Sequence, residues 1–298
     1  MINHRMTKTN HQFFLVTEDT FHSSYLVNEW SQRFRYHGQY GGILIRGTQK
    51  TQGDLQKRTE AHRFCQTMSI VPSTQIEILD EAYGGLSDSE RLMVMLYGVP
   101  SESCSSVANV CILDRNLNSD IAIQQMEELL GQDQEIILFI FLDQILGFWW
   151  LQRTKYIVNA HSAVLPYARG MYALENIACL GDAQQFLKVA GATVHYVDSG
   201  VDTGSIIHSM RIRDPFQYET LWEVKARCYQ LAFKLLVGAA EVTLDNLFAE
   251  HVGVIPEHSL VGQAFRARDF THELKINAAS TFSSMRKAFY ASDVKMKN

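Results

Sequence analysis

Short apolar runs separated by polar stretches of helical period set the rhythm of this chain. Phe13-Phe14-Leu15-Val16 and Gly42-Ile43-Leu44-Ile45 are blocks bounded by polar residues or Gly, and Tyr25 to Phe34 between them suits a helix. Val107 to Leu113 gives a further strand. A helix opens near Ser119, with Ile123, Met126 and Leu130 at three-and-four spacing, and leads into the strand Ile136 to Phe141. Runs that are apolar throughout suit a sheet covered on both faces, so the alternation predicts an α/β fold: a Rossmann-like, mainly parallel sheet flanked by helices.

Two more strands, Tyr156 to Val158 and Thr193 to Val197, flank a loop and a helix over Met171 to Leu180, and Ser205 to Met210 follows Gly204. Leu221, Val224, Cys228, Leu231 and Leu235 then step by three and four, which predicts a long amphipathic helix with its stripe on the sheet. The segment Gly47 to Ser106 shows helical stretches around Leu55 to Cys65 and Ser87 to Leu96 with loops between, and reads as an insertion or lid. Past Glu250 come a loop through Pro256, a helix over Thr271 to Tyr290 and a basic tail at Lys295 to Lys297. The expected organisation is an α/β domain over 1–250, with 47–106 inserted, and a C-terminal helical extension over 251–298.

Composition narrows the partners. The chain has 298 residues, 46% of them hydrophobic, enough for a substantial core. Its 27 Lys and Arg against 32 Asp and Glu leave a net charge of -5, which argues against a nucleic-acid partner. Five cysteines, Cys65, Cys104, Cys111, Cys179 and Cys228, form no C-x-x-C pair and suit a reducing cytoplasm. Met1 to Gln12 is polar and lacks a secretory pattern. The apolar stretch Glu135 to Leu151 is broken by Asp143, Gln144 and Gly147, short of the roughly twenty residues of a membrane helix, and reads as a buried strand entering a helix.

The chemistry gathers in two segments. Tyr156-Ile157-Val158-Asn159-Ala160-His161-Ser162-Ala163-Val164-Leu165-Pro166-Tyr167-Ala168-Arg169-Gly170 is a strand ending on an amide and an imidazole one residue apart. Both emerge at the carboxyl edge, where open α/β sheets place ligands. Gly191-Ala192-Thr193-Val194-His195-Tyr196-Val197-Asp198-Ser199-Gly200-Val201-Asp202-Thr203-Gly204 is a strand running into a turn that delivers a carboxylate.

Together the two segments resemble the tetrahydrofolate-dependent formyltransferase family, with its Asn-x-His followed by Leu-Pro and basic-Gly, and its later Gly-x-Thr-Val-His and Asp-x-Gly element. The likeness spans roughly Val107 to Leu247. It implies Asn159, His161 and Asp202 as the catalytic residues, 10-formyltetrahydrofolate as co-substrate, a small-molecule amine as acceptor, and no metal. It puts the folate-cradling loops at Leu142 to Leu146 and Val197 to Val201, with Leu142, Asp143, Ile145, Leu146, Val197, Asp198 and Val201 as contacts. Arg169 could pair with an acceptor carboxylate or phosphate, or merely brace its loop. Ser162 stands where purine-pathway members commonly have Pro, and Thr17-Glu18-Asp19-Thr20 lacks the Gly-Ser-rich phosphate cradle of a glycinamide ribonucleotide enzyme.

The residues carry their own logic. An amide such as Asn159 aimed at the formyl oxygen stabilises the charge that builds there by about 3 kcal/mol. His161 can take and return a proton, and Asp202 can orient its ring and favour its charged form. No Ser or Cys sits in a nucleophile motif, so direct attack by the amine is expected. A metal site grouping His161, His195, His208 and Asp202 lacks the spacing of known zinc motifs. His195 and His208 read as structural, and Trp149 and Trp150 as core residues. A formyltetrahydrofolate hydrolase and a folate-binding protein without activity are the competing functions.

Overall fold

The computed structural model describes residues 11–47, 49–68, 70–104, 107, 109–130, 134–246, 248–250 and 252–296. The polar start Met1 to Asn10 and Lys297 of the basic tail lie outside the described residues. Strand β1 (His11–Glu18) buries Phe13, Phe14, Leu15 and Val16 completely, because helices cover both of its faces. Helix α1 (Phe21–Phe34) follows, capped by the Thr20 side chain, and leads to β2 (Tyr40–Gly47).

Three helices fill the next segment: α2 (Gln49–Thr67), α3 (Pro72–Tyr83) and α4 (Asp88–Tyr97). They pack into the same core as α1, through Leu55, Cys65, Leu79, Met93 and Val94. None of their described residues lines the central cleft. Beyond it lie β3 (Val110–Asp114), α5 (Asp120–Leu129), β4 (Glu135–Phe141) and α6 (Phe148–Arg153). Strand β3 starts three residues later than the apolar run suggests, after Asn109 takes a positive φ of 62°. Ser119 caps α5, and Trp150, fully buried under the sheet, donates its indole N–H to Leu117 O at 2.7 Å.

Strand β5 (Tyr156–His161), the two-residue β6 (Arg169–Gly170), α7 (Ala173–Cys179), α8 (Ala183–Val189), β7 (Gly191–Tyr196) and β8 (Ile206–Arg211) complete the sheet region. The seven strands lie in the order β3-β2-β1-β4-β5-β7-β8. Pairs from β3 to β5 are parallel, and β7 and β8 add antiparallel neighbours. Chain order reverses between β1 and β4, the switch point at which such sheets open a ligand crevice beyond the strand carboxyl ends.

Helix α9 (Leu221–Asp245) runs past that crevice and joins two cores. Leu221, Val224 and Cys228 pack with α7 and α8, whereas Ala232, Phe233, Leu236 and Ala240 pack under the sheet. The buried stripe therefore drifts by one residue from the expected Leu231 and Leu235, which are only half-buried. A straight helix of 3.6 residues per turn rotates its contact face in this way against a sheet. Residues past 250 are tied into the same body. Val254 bridges Ile206, β9 (Ala264–Phe265) pairs with β6, and α10 (His272–Met296) packs on α7 through Ala278, Phe282 and Met285. Among the described residues, no helix is long and apolar enough to cross a membrane.

Candidate active site

Asn159 and His161 end β5 two residues apart and so share one face of the sheet. The antiparallel register sets His195 of β7 directly opposite Asn159. Asp202 arrives from the loop after β7. That loop begins where Val197 N–H bonds Ile157 O at 2.9 Å, and Asp198 Oδ1 ties it by accepting from Gly200 N at 2.9 Å and Thr203 Oγ1 at 2.6 Å. Gly204 closes the loop against Tyr196, whose carbonyl oxygen would stand 1.9 Å from any Cβ there, so only glycine fits.

These groups form one network. Asp202 Oδ2 lies 3.6 Å from His161 Nδ1, and Oδ1 lies 3.4 Å from His195 Nε2. Gly170 N–H donates to Asp202 Oδ2 at 2.7 Å, from a backbone with φ 78° where a Cβ would strike Phe265 O at 2.1 Å. Burial opposes the charge on Asp202, but His161, His195 and the Gly170 N–H outweigh it and hold the carboxyl far below the usual range. For His161 the balance runs the other way. Asp202 favours the charged form, but burial is the larger effect and lowers the pKa, so the ring is neutral near pH 7.

The tautomer follows from the partners. Ala168 O accepts from His161 Nε2 at 3.2 Å, which puts the proton on Nε2 and leaves Nδ1 as the proton acceptor beside Asp202. His195 Nδ1 likewise donates to Tyr196 O at 2.8 Å, and Asn159 Nδ2 lies 3.1 Å from His195 Nε2. His195, read from sequence as structural, thus orients Asn159, and its Nε2 also lies near Asp202. Asn159 Oδ1 is buried without a hydrogen-bond partner among the described residues, a polar atom that a bound donor would satisfy.

The network opens into a cleft of about 740 Å³. Leu142, Asp143, Ile145 and Leu146 line it, and Val197, Asp198 and Val201 line it across from the β5 tip, so the two predicted loops meet in one space. Asn118 pins the first loop by donating to Ile145 O at 2.9 Å and accepting from Gly147 N at 2.6 Å. Asp143 pairs with Arg46, which also lies 2.9 Å from Glu18. Burial and the neighbouring Asp143 push the Glu18 carboxyl up. Arg169 does not line the cleft. Its guanidinium spans Val201 O at 3.3 Å and Gly262 O at 3.2 Å and braces the Asp202 loop. His208 is exposed on β8, and Trp149 and Trp150 do not line the cleft. Among the described residues, no group of three or more His, Cys, Asp or Glu could hold a metal ion.

The β1 side of the cleft carries residues that sequence reasoning missed. His22 stacks flat on Tyr229, centroids 4.6 Å apart at 2°, and its Nδ1 lies 2.9 Å from Glu90 Oε1. Lys225, 5% exposed, donates to Glu175 Oε2 at 3.2 Å and to Ser162 Oγ at 3.3 Å. A lysine one residue from the apolar stripe Leu221, Val224 and Cys228 was the available signal.

Residues 99–240 match the formyl transferase family model. The chain is 34% identical over 110 residues to a phosphoribosylglycinamide formyltransferase of Bacillus subtilis (strain 168), a stretch covering 37% of this chain and 53% of that one. It is 31% identical over 99 residues to a methionyl-tRNA formyltransferase of Halothermothrix orenii (strain H 168), covering 33% of this chain and 29% of the other. The chain thus spans about half of the first relative's length and under a third of the second's. A sugar N-formyltransferase structure from a Shewanella species shares the fold, with a TM-score of 0.52 at 12% identity over 91% of this chain and 87% of that one.

Proposed function

We propose that this chain, formyl-transferase-like over residues 99–240, moves the formyl group of 10-formyltetrahydrofolate to the amine of a small molecule by direct attack. The observation that carries the reading is the convergence of Asn159, His161 and Asp202 on one cleft shared with the loops 142–146 and 197–201.

The folate is a substrate, and the residues suit it. The loops offer apolar side chains and backbone groups to a flat heterocycle with polar edges. Formyl transfer forms a bond from the amine nitrogen to the formyl carbon and breaks the bond from that carbon to the folate nitrogen. One proton leaves the amine and one reaches the folate nitrogen. His161 Nδ1 takes the first, and its imidazolium is stabilised by Asp202 at 3.6 Å. The same ring returns the proton to the departing nitrogen. Asn159 Nδ2 keeps one N–H for His195 and has a second to donate to the formyl oxygen as charge builds there. Asn159 Oδ1 can accept from the incoming amine.

The acceptor is assigned to the part of the cleft lined by His22, Tyr229 and Lys225. Tyr229, His22 and Lys225 present a ring and paired polar groups there, which suits a hydroxylated amine. Amino sugars, the acceptor class named for the Shewanella structure, therefore come first in the test. Purified protein is incubated with 10-formyltetrahydrofolate, with and without a panel of amino sugars, amino acids and amines, and release of tetrahydrofolate is followed. Release that requires one amine supports the transferase. Release without any amine points to hydrolysis, and binding without turnover points to a protein that only holds folate.

A further inference from the structure

The two-stranded sheet of β6 and β9 builds one wall of the cleft. Arg169 pairs with Ala264 and Gly170 with Phe265 in parallel, so the chain leaves both strands side by side, through Met171 and Tyr172 on one and Arg266 and Ala267 on the other. All of these four line the cleft, next to the Gly170 N–H that holds Asp202. A short 3-10 turn, Ala267–Asp269, then folds the chain back: Asp269 N–H donates to Arg266 O at 3.1 Å and Phe270 N–H to Ala267 O at 3.2 Å. Phe270 thereby stacks on the ring of Tyr172, centroids 4.3 Å apart at 14°.

Two features of this wall have no part in the chemistry at Asn159, His161 and Asp202. Tyr172 holds φ 54°, a left-handed backbone that a bulky residue adopts only at a cost, and still leaves 37% of itself exposed at the cleft. Arg266 is a cation without a counter-charge. The other charged groups that line the cleft are engaged: Glu18 and Asp143 with Arg46, Asp202 with His161 and His195, Lys225 with Glu175, and Asp198 within its own turn. Arg268 and Asp269 pair with each other at 3.8 Å, and Arg266 has no ion pair among the described residues.

We propose that Arg266 and the Tyr172–Phe270 stack form a binding subsite for an aromatic ring that carries a carboxylate or phosphoryl group. A flat ring gains from packing beside other rings, and a guanidinium holds an oxyanion through two parallel N–H groups. Two ligands of a formyl-transfer site offer that chemistry. The formyl-bearing nitrogen of 10-formyltetrahydrofolate is attached to a benzoyl ring whose glutamate ends in carboxylates, and an acceptor can carry phosphoryl groups beside a heterocycle. Arg266 lies outside residues 99–240, so the match to the family model does not include it. Assigning the ring to folate or to the acceptor rests on the formyl-transfer reading; the pairing of Arg266 with an anion does not, and it is measured without turnover.

Calorimetry on the full chain uses two pairs of probes: tetrahydrofolate and its analogue ending in a neutral methylamide in place of glutamate, and uridine diphosphate and uridine. Arg266 is exposed, so Arg266→Gln leaves the packing intact. It should weaken a charged probe about 10-fold and leave the neutral partner unchanged. Tyr172→Asn, which tolerates the left-handed backbone, should weaken both members of that pair, with circular dichroism confirming the fold. A loss for tetrahydrofolate assigns the ring to folate, and a loss for uridine diphosphate assigns it to the acceptor. The subsite is overturned if the wild type binds neither charged probe, if Arg266→Gln binds both as the wild type does, if the neutral probes lose as much, or if Tyr172→Asn changes nothing. Tetrahydrofolate binding that neither variant alters, with uridine diphosphate equally unaffected, would remove the subsite and leave the formyl-transfer reading standing.

Discussion

Asp202 meets His161 across 3.6 Å from a left-handed backbone, φ 50°, that few residues other than Gly, Asn and Asp adopt readily. Asn tolerates the same region, so Asp202→Asn removes the charge and leaves the turn in place. Turnover of 10-formyltetrahydrofolate should fall about 10²- to 10⁴-fold, because the imidazolium loses its counter-charge. Steady-state rates beside a far-UV circular dichroism spectrum check this, and an unchanged rate would remove Asp202 from the mechanism.

The pH dependence follows from the lowered pKa of His161. A buried ring below its ordinary 6.5 accepts a proton at Nδ1 only while neutral. The rate should therefore be flat near pH 7 and fall as pH drops below the His161 pKa, where the ring is already charged. In His161→Asn the residual rate should lose this acid limb. A limb that persists in the variant would assign it to another group.

Lys225 and Glu175 are 5% and 3% exposed and lie 3.2 Å apart. Lys225→Met leaves a buried carboxylate without its partner and should cost about 3 to 5 kcal/mol in urea unfolding, whereas Lys225→Met with Glu175→Leu should recover most of that loss. Equal destabilisation in the single and double variants would count against a coupled pair.

Glu90 gives a second pH signature, in stability. Burial raises its pKa, but His22 and Ser87 outweigh that and hold it at about 2, below the ordinary 4.5. A depressed pKa stabilises the fold above the unfolded value and loses that contribution as pH falls through the folded one. The stability advantage of the wild type over Glu90→Gln should therefore be constant above about pH 5, shrinking as pH falls from 4.5 to about 2. Unfolding curves across that range check the window.

How much was legible in advance depended on whether the signal was local. Phe13 to Val16 and Ile136 to Phe141 announce strands because every position is apolar, as burial on both faces demands. Asn159, His161 and Asp202 could be singled out because the strand end and the turn that carry them resemble the motifs of the formyltransferase family. Helix α3 was missed, although Pro72 at its start and left-handed Gly84 at its end are start and stop signals, because the two glycines after it read as loop. His195 needed the register that sets it opposite Asn159, which no periodicity supplies. The His22 and Glu90 pair joins positions 68 residues apart, and only packing of α4 beside α1 brings them together.

The central claim is that Asn159, His161 and Asp202 pass a formyl group to an amine, and isotope-labelled formyl on 10-formyltetrahydrofolate tests it most directly. With the accepted amine present, mass spectrometry should find the label on that amine for the wild type, and Asn159→Ala should slow its appearance about 10²- to 10³-fold. Label recovered as formate whatever the amine, or transfer that Asn159→Ala leaves unchanged, would contradict the account.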